Sequence, residues 1–198
     1  MKTSTIVFGV LATAASVAAS TISIASRSEI AEGFKIAADA PDGLYQVTLD
    51  EASGNTTTVF TPFDEVLKGA TLEARSEPSR IERRRNGCGA GSAPREQIFA
   101  AQDCMMQYWP GGIYDGTIYL NSNVWTYCVK SDVVAFICPY SGGYKYKPDI
   151  HATYRSIDTD CGVVQMGYNQ ISGGQGDWTT GRTLRTMNFC TKNYYVGM

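Results

Sequence analysis

The sequence is poor in the residues on which most enzyme active sites depend. Its 198 residues include a single histidine, His151, and no cysteine before Cys88. General acid–base chemistry near neutral pH most often uses histidine, so a ribonuclease of the two-histidine type is excluded. The chain has no G-x-S-x-G pentad, the signature of an α/β-hydrolase nucleophile, and no C-x-x-C pair of the zinc-site type. We therefore expect no catalytic residues, no metal and no cofactor.

The N-terminus has the features of a secretory leader. Lys2 provides a positive charge, and a short apolar run follows over residues 6–19. Small residues precede Ser20, as in a cleavable signal peptide, so we predict that residues 1–19 are removed on export. The run is too short for a transmembrane helix, which needs about 20 apolar residues, and no later stretch reaches that length. We expect a secreted, extracellular protein without a membrane span.

A tribasic sequence, Arg83-Arg84-Arg85, divides the rest of the chain. Residues 20–85 are polar and acidic, with no cysteine or tryptophan. A kexin-like processing protease that cuts after Arg85 would separate this pro-segment from a mature domain, residues 86–198. The charged stretch 70–85 is predicted to be flexible and open to the protease, because it cannot bury enough apolar area to become ordered.

Two further features of the pro-segment point to local structure. Asn55, followed by two threonines, is a glycosylation acceptor, which predicts an exposed loop at that position. The patterned stretch 43–63 predicts a hairpin that would assist folding.

Residues 86–198 contain every cysteine of the chain. An even number of cysteines in a short secreted domain is typical of a disulfide framework. The six cysteines allow 15 pairings, and the sequence alone does not choose among them. The six are Cys88, Cys104, Cys128, Cys138, Cys161 and Cys190.

The charge of residues 86–198 argues against a polyanionic partner. Eight basic and eight acidic side chains give a formal net charge of zero. A neutral domain has no electrostatic basis for binding nucleic acid or an anionic membrane. The same residues include eleven of the twelve tyrosines and all three tryptophans, which suits either the strands of a β-rich core or a recognition surface.

Periodicity predicts two helices in this domain. Apolar residues recur at three- and four-residue steps over 94–107 and 148–161. Gly162 is well placed to end the second helix. His151, in the first turn of that helix and beside its apolar stripe, is predicted to face solvent in a structural or surface role.

Strands are predicted where β-branched and aromatic residues concentrate. The predicted strands are 117–121, 124–129, 133–138, 163–171 and 184–190, and 140–146 is predicted as a loop. The nearly all-apolar stretch 133–138 indicates a central strand that is covered on both faces. The elements together predict an α+β fold, an antiparallel sheet with two helices packed on one face. Cys104, Cys138 and Cys161 are placed to link helix and sheet in this disulfide-stapled α/β-sandwich.

Several short motifs in the mature domain are similar to a family of fungal secreted proteins. They are the opening Asn86-Gly87-Cys88-Gly89, the central strand that ends at Cys138, the helix that ends in Asp160-Cys161-Gly162, and the closing Asn188-Phe189-Cys190. This layout resembles the killer-toxin-like proteins and necrosis-inducing extracellular effectors of fungi, although the prototype toxins carry more cysteines. The resemblance implies an α/β-sandwich and an effector or toxin-like role in virulence, against a host or a competitor.

A binding function is therefore expected in place of catalysis, with an unidentified extracellular target. Tyr144, Lys145, Tyr146, Lys147 and Trp178 form the candidate binding surface. One alternative is a carbohydrate-binding module for cell-wall glycans, in which Trp125, Trp178 and tyrosines would stack on sugar rings. The other is a small hydrolase, which a cleft holding two carboxylates about 5–10 Å apart would support.

The mass of the secreted product tests both the processing and the disulfide predictions. We expect a denatured, unreduced species that begins at Asn86, and a gain of about six hydrogens on reduction because each bridge takes up two. Intact mass spectrometry before and after reduction measures both. A product that begins near Ser20 would contradict the cleavage, and an unchanged mass would contradict the bridges.

Overall fold

The computed structural model describes residues 33–67, 84–108, 117–172 and 176–191. The predicted signal peptide, Arg83 and most of the charged stretch 70–85 lie outside these residues. Within the described part of the chain, no helix has the length and apolarity needed to cross a membrane.

The described residues form nine strands and three helices. The strands are β1 (Gly43–Leu49), β2 (Thr56–Pro62), β3 (Arg84–Ser92), β4 (Thr117–Leu120), β5 (Val124–Lys130), β6 (Val133–Pro139), β7 (Gly143–Tyr146), β8 (Gln165–Ile171) and β9 (Trp178–Leu184). The helices are α1 (Phe63–Leu67), α2 (Arg95–Tyr108) and α3 (Lys147–Cys161).

Seven of the strands form one antiparallel sheet in the order β2-β1-β5-β6-β9-β8-β3. Strands β4 and β7 pair separately as a two-stranded antiparallel sheet. The prediction of an α+β fold built on an antiparallel sheet is confirmed. All seven residues of β6 are buried, as expected for its central position.

Both long helices pack on one face of the large sheet. Ile98 and Met105 of α2 join Ile150 and Ile157 of α3 in one apolar cluster with the side chains of that face. Among the described residues, no helix covers the opposite face. Its apolar cluster combines side chains of β1, β5 and β6 with side chains from the two ends of the described chain, namely Phe34, Ile36, Tyr45, Val47, Leu49, Trp125, Tyr127, Val129, Val134, Phe136, Cys138, Phe189 and Cys190.

Three disulfides fasten the elements to one another, and no described cysteine is free. Cys104–Cys128 joins α2 to β5, and Cys88–Cys161 joins β3 to the end of α3. The predicted links from helix to sheet through Cys104 and Cys161 are confirmed. The third bridge corrects the expectation for Cys138, because its partner is Cys190 in the C-terminal segment and not a helical residue.

The stretch upstream of the tribasic sequence belongs to the same sheet. The predicted hairpin 43–63 is present as β1 and β2, and β1 also pairs with β5 of the cysteine-containing part. Asn55 lies exposed in the turn before β2, as expected of a glycosylation acceptor. The backbone of Arg84 and Arg85 is part of β3, opposite Ile171 and Gln170 of β8, so this end of the charged stretch 70–85 is a paired strand and not the flexible segment that was expected.

Two local predictions were wrong. The predicted loop 140–146 contains strand β7, and the last long strand is Trp178–Leu184 in place of 184–190. Strand β9 is polar in sequence but almost wholly buried, so it lacks the apolar pattern that identifies a strand. Glycine is required at position 181 of this strand. A Cβ there would lie 2.5 Å from the carbonyl oxygen of Gly167 on β8, which is too close for any side chain.

The buried tyrosines predict a loss of stability in alkali. Burial raises the pKa of Tyr45 from 10.0 to about 12, and burial also raises the pKa of Tyr127. Because the unfolded chain ionises first, stability is full below pH 10 and falls as the pH rises from 10 towards 12. Tyr127→Phe should make this fall shallower, measured as the free energy of unfolding against pH. The exposed substitution Tyr144→Phe is the control, and an equal effect of the two changes would contradict the assignment.

Candidate functional site

Three tyrosines of the small sheet form an exposed aromatic surface. Tyr119 of β4 and Tyr144 of β7 are 52% and 57% exposed, and Tyr146 is 40% exposed. Tyr119 lies directly opposite Tyr144 in the antiparallel pair, and their ring centroids are 5.1 Å apart with planes inclined by 79°. We call Tyr119, Tyr144 and Tyr146 the tyrosine surface.

Strand alternation produces this surface. Successive side chains of a strand point to opposite faces, so Tyr144 and Tyr146 point outward and Lys145 between them points inward. In β4, Tyr119 is exposed, whereas Leu120 after it is buried. Tyr146 also stands at the N-cap of α3, where β7 runs directly into the helix. The disulfide-linked helix and the strand pairing thus hold the tyrosine surface in place.

The structure divides the predicted binding surface into two groups. Tyr144 and Tyr146 are exposed as expected, whereas Lys145, Lys147 and Trp178 are buried. The last three are corrected to interior residues, because alternation turns Lys145 inward and β9 is covered on both faces. These three side chains therefore do not form the exposed surface.

Lys145 is fully buried on the inward side of β7, under the tyrosine surface. Its ammonium group is 5.8 Å from the centroid of the Trp178 ring. Burial lowers the pKa of Lys145 to about 8, while the nearby carboxylate of Asp177 opposes this shift. The backbone N–H of Asp177 donates to the hydroxyl of Ser141 at 2.7 Å, which ties the loop before β7 to the start of β9.

Tyr119 is not among the binding residues that the sequence predicts. It is 25 residues from Tyr144, and only the pairing of β4 with β7 brings the two rings together. The glycine just before β7, Gly142, is an indirect sign of this packing. A Cβ on Gly142 would lie 2.8 Å from the Tyr119 hydroxyl, so glycine leaves space for that ring.

A second group of polar side chains lies in a cleft between α2 and α3. His151 is half-buried in its wall, which corrects the prediction that this residue simply faces solvent. The lining residues are Phe99, Gln102, Asp103, Met106, His151, Tyr154, Arg155 and Asp158. Two carboxylates and the single histidine therefore share one cleft.

Asp158 in this cleft is committed to a structural ion pair. Its carboxylate accepts a hydrogen bond from Arg182 Nη1 at 2.5 Å, and the side chain of Arg182 is fully buried. Arg182 also donates through Nε to the carbonyl of Gln165 and through Nη2 to that of Gly162, each at 2.8 Å. The guanidinium thus fastens the C-terminal end of α3 to β8 and β9.

The size of this cleft argues against its being the active site of a glycoside hydrolase. Its volume is about 60 Å³. Ligand pockets for organic molecules are roughly 300–1,000 Å³. Among the described residues, no three His, Cys, Asp or Glu side chains come together to hold a metal ion. A sugar ring would not enter, and one of the two carboxylates is already paired.

Comparisons with protein-family models, with curated proteins and with solved structures gave no match for this chain.

The division of the predicted surface has a direct consequence for stability. Tyr144→Ser should change the free energy of unfolding by less than about 0.5 kcal/mol, as is usual for an exposed position. Trp178→Ala should cost about 3–5 kcal/mol, because it leaves a cavity in the core. Urea denaturation followed by circular dichroism measures both. Equal effects of the two substitutions would contradict the placement of Trp178 beneath the tyrosine surface.

Proposed function

We propose that this chain is a secreted effector or toxin-like protein that acts on a host or a competitor through surface recognition. The single observation that carries the proposal is the exposure of three tyrosines on one small, braced sheet. Tyrosine is enriched at protein interfaces and at their energetic hot spots. It buries a large rigid ring at low conformational cost and keeps a polar hydroxyl for hydrogen bonding. The secretory leader, the tribasic sequence and the three disulfides support an extracellular setting.

Rigidity of the tyrosine surface is central to this proposal. Binding costs free energy for every side chain and loop that becomes ordered, so a preformed surface gains affinity. Tyr119 and Tyr144 pack against each other, and β7 continues into α3, which Cys88–Cys161 fastens to the large sheet. The partner would meet rings whose positions are already fixed.

The geometry of the rings favours a protein partner over a glycan. A module that binds a flat cell-wall polysaccharide would need coplanar ring faces for successive sugars. The planes of Tyr119 and Tyr144 are inclined by 79°, and the expected stacking residues Trp125 and Trp178 are both buried. The carbohydrate-binding alternative is therefore the weaker candidate.

Infiltration of the purified secreted product into plant tissue tests the proposal. We expect a dose-dependent tissue response, and the double variant Tyr119→Ser/Tyr144→Ser should need at least about tenfold more protein, since a hot-spot residue is worth roughly 2 kcal/mol or more. Val164→Ser is the matched control, because this side chain is 48% exposed outside the tyrosine surface. The absence of any response, or equal potency of the double variant, would contradict the proposal.

Sedimentation with insoluble chitin and β-glucan particles separates the two classes of partner. We expect the protein to stay in the supernatant. Retention that is lost in Tyr119→Ser/Tyr144→Ser, but not in the Val164→Ser control, would favour the glycan alternative instead.

A further inference from the structure

No disulfide crosses the predicted cleavage point. All three bridges join cysteines downstream of Arg85. After a cut at this position, only non-covalent contacts would connect residues 33–67 to residues 86–191. The fate of the processed protein therefore depends on the strength of those contacts.

Backbone pairing is the first of these contacts. Strand β1 pairs with β5 over six residue pairs, from Gly43 opposite Val129 to Thr48 opposite Val124. Farther upstream, Phe34 and Phe189 exchange two backbone hydrogen bonds of 2.7 and 3.0 Å. Loss of residues 33–67 would leave the N–H and C=O groups along one edge of β5 without these partners. Unpaired backbone groups on a strand whose side chains are buried cost free energy.

Aromatic packing is the second contact. Phe34 is buried with its ring 5.0 Å from that of Trp125 and 6.0 Å from that of Phe189. Tyr45 is buried and stacks on Tyr127 at 5.0 Å, with the ring planes 10° apart. Four aliphatic side chains of the same segment are buried as well, Ile36, Leu44, Val47 and Leu49. Each of these side chains would return to water if the segment left.

Charge pairing is the third contact. Asp42 lies between two cations of the downstream part, 3.1 Å from Lys130 Nζ and 3.2 Å from Arg185 Nη2. Arg185 Nη1 also donates to the carbonyl oxygens of Ala38 and Ala40, at 3.0 and 2.9 Å. One arginine thus binds three acceptors on the segment, and these directional contacts fix how it sits on the sheet.

We infer that residues 33–67 stay bound after cleavage, so that the processed protein is a non-covalent pair of chains. The groove formed by β5, Trp125, Tyr127 and Phe189 is an interaction surface whose occupant is the hairpin of the same polypeptide. Residues 33–67 are then a permanent structural part of the processed protein and not a propeptide that is released. This inference rests on the proposed processing after Arg85.

Digestion of the full chain with a kexin-like protease tests the inference. Once a denaturing gel shows complete cleavage, gel filtration at about 1 µM should give one peak that contains both fragments. Denaturant without reductant should separate them, because no disulfide connects them. The thermal midpoint of the cut protein should rise with protein concentration, as for any associating pair, whereas that of the intact chain should not. Elution of the downstream fragment alone would overturn the inference.

Substitutions in the hairpin show whether the described contacts are responsible. Phe34→Ala should raise the dissociation constant of the cut pair about a hundredfold or more, since removal of a buried Phe side chain has an effect of that size. Val59→Ala is the matched control, because this exposed side chain of β2 should not affect retention. Release should also shift the fluorescence of Trp125 to longer wavelength. Equal retention of the two variants would contradict the assigned contacts.

A second version of the chain separates this inference from the proposed processing. It carries the recognition sequence of a site-specific protease between residues 68 and 83, with Arg84 and Arg85 replaced by glutamine. If the kexin-like protease does not cut the natural chain but the engineered cut leaves both fragments together, processing is contradicted and retention stands. If the natural site is cut and the fragments separate, processing stands and retention is contradicted.

Discussion

The hydrogen-bonded pairing of β1 with β5 is the constraint on which the rest of the structure depends. It places strands on both sides of β5, so Trp125 and Tyr127 can be interior residues and not part of an open edge. Phe34 and Phe189 then pack on the rings of Trp125 and Tyr127 in one buried aromatic cluster. With the helices on the other face, the sheet has a core on each side. The strands upstream and downstream of the tribasic sequence thus belong to one folded sheet.

Sequence patterns predicted the parts of the fold that are governed by local periodicity. Helices α2 and α3 were found from their apolar stripes, Gly162 ends α3 with a positive φ of 96°, and β6 was recognised as central because it is almost entirely apolar. Strand β9 was not predicted, because threonines, Gly181 and Arg182 fill a buried strand without an apolar pattern. The burial of Arg182 depends on acceptors from Asp158, Gly162 and Gln165. Such a set assembles only in three dimensions.

The candidate surface could be predicted only in part for a related reason. Composition located a concentration of tyrosine and lysine around β7, and Tyr144 and Tyr146 are indeed exposed. The glycines in the stretch 140–146 are typical of a loop, and a loop gives no reason to turn Lys145 inward, whereas the strand observed there does. The pairing of β4 with β7 that adds Tyr119 is a long-range choice between strands. Local propensity does not determine such choices. What results is an exposed tyrosine surface built from strand alternation, with the ammonium group of Lys145 beneath it, 5.8 Å from the centroid of the Trp178 ring.

The two outer strands of the large sheet carry features that oppose edge-to-edge association. An open strand edge invites another chain to add to it. Strand β3 is rich in glycine and its register shifts between Cys88 and Ser92, an irregularity that disrupts a regular ladder. Strand β2 ends at a proline, which lacks an N–H donor, and begins next to Asn55. A carbohydrate attached to Asn55 would stand as a bulky, hydrated cap at the head of that strand. The acceptor thus lies where it would keep neighbouring molecules from joining sheet to sheet.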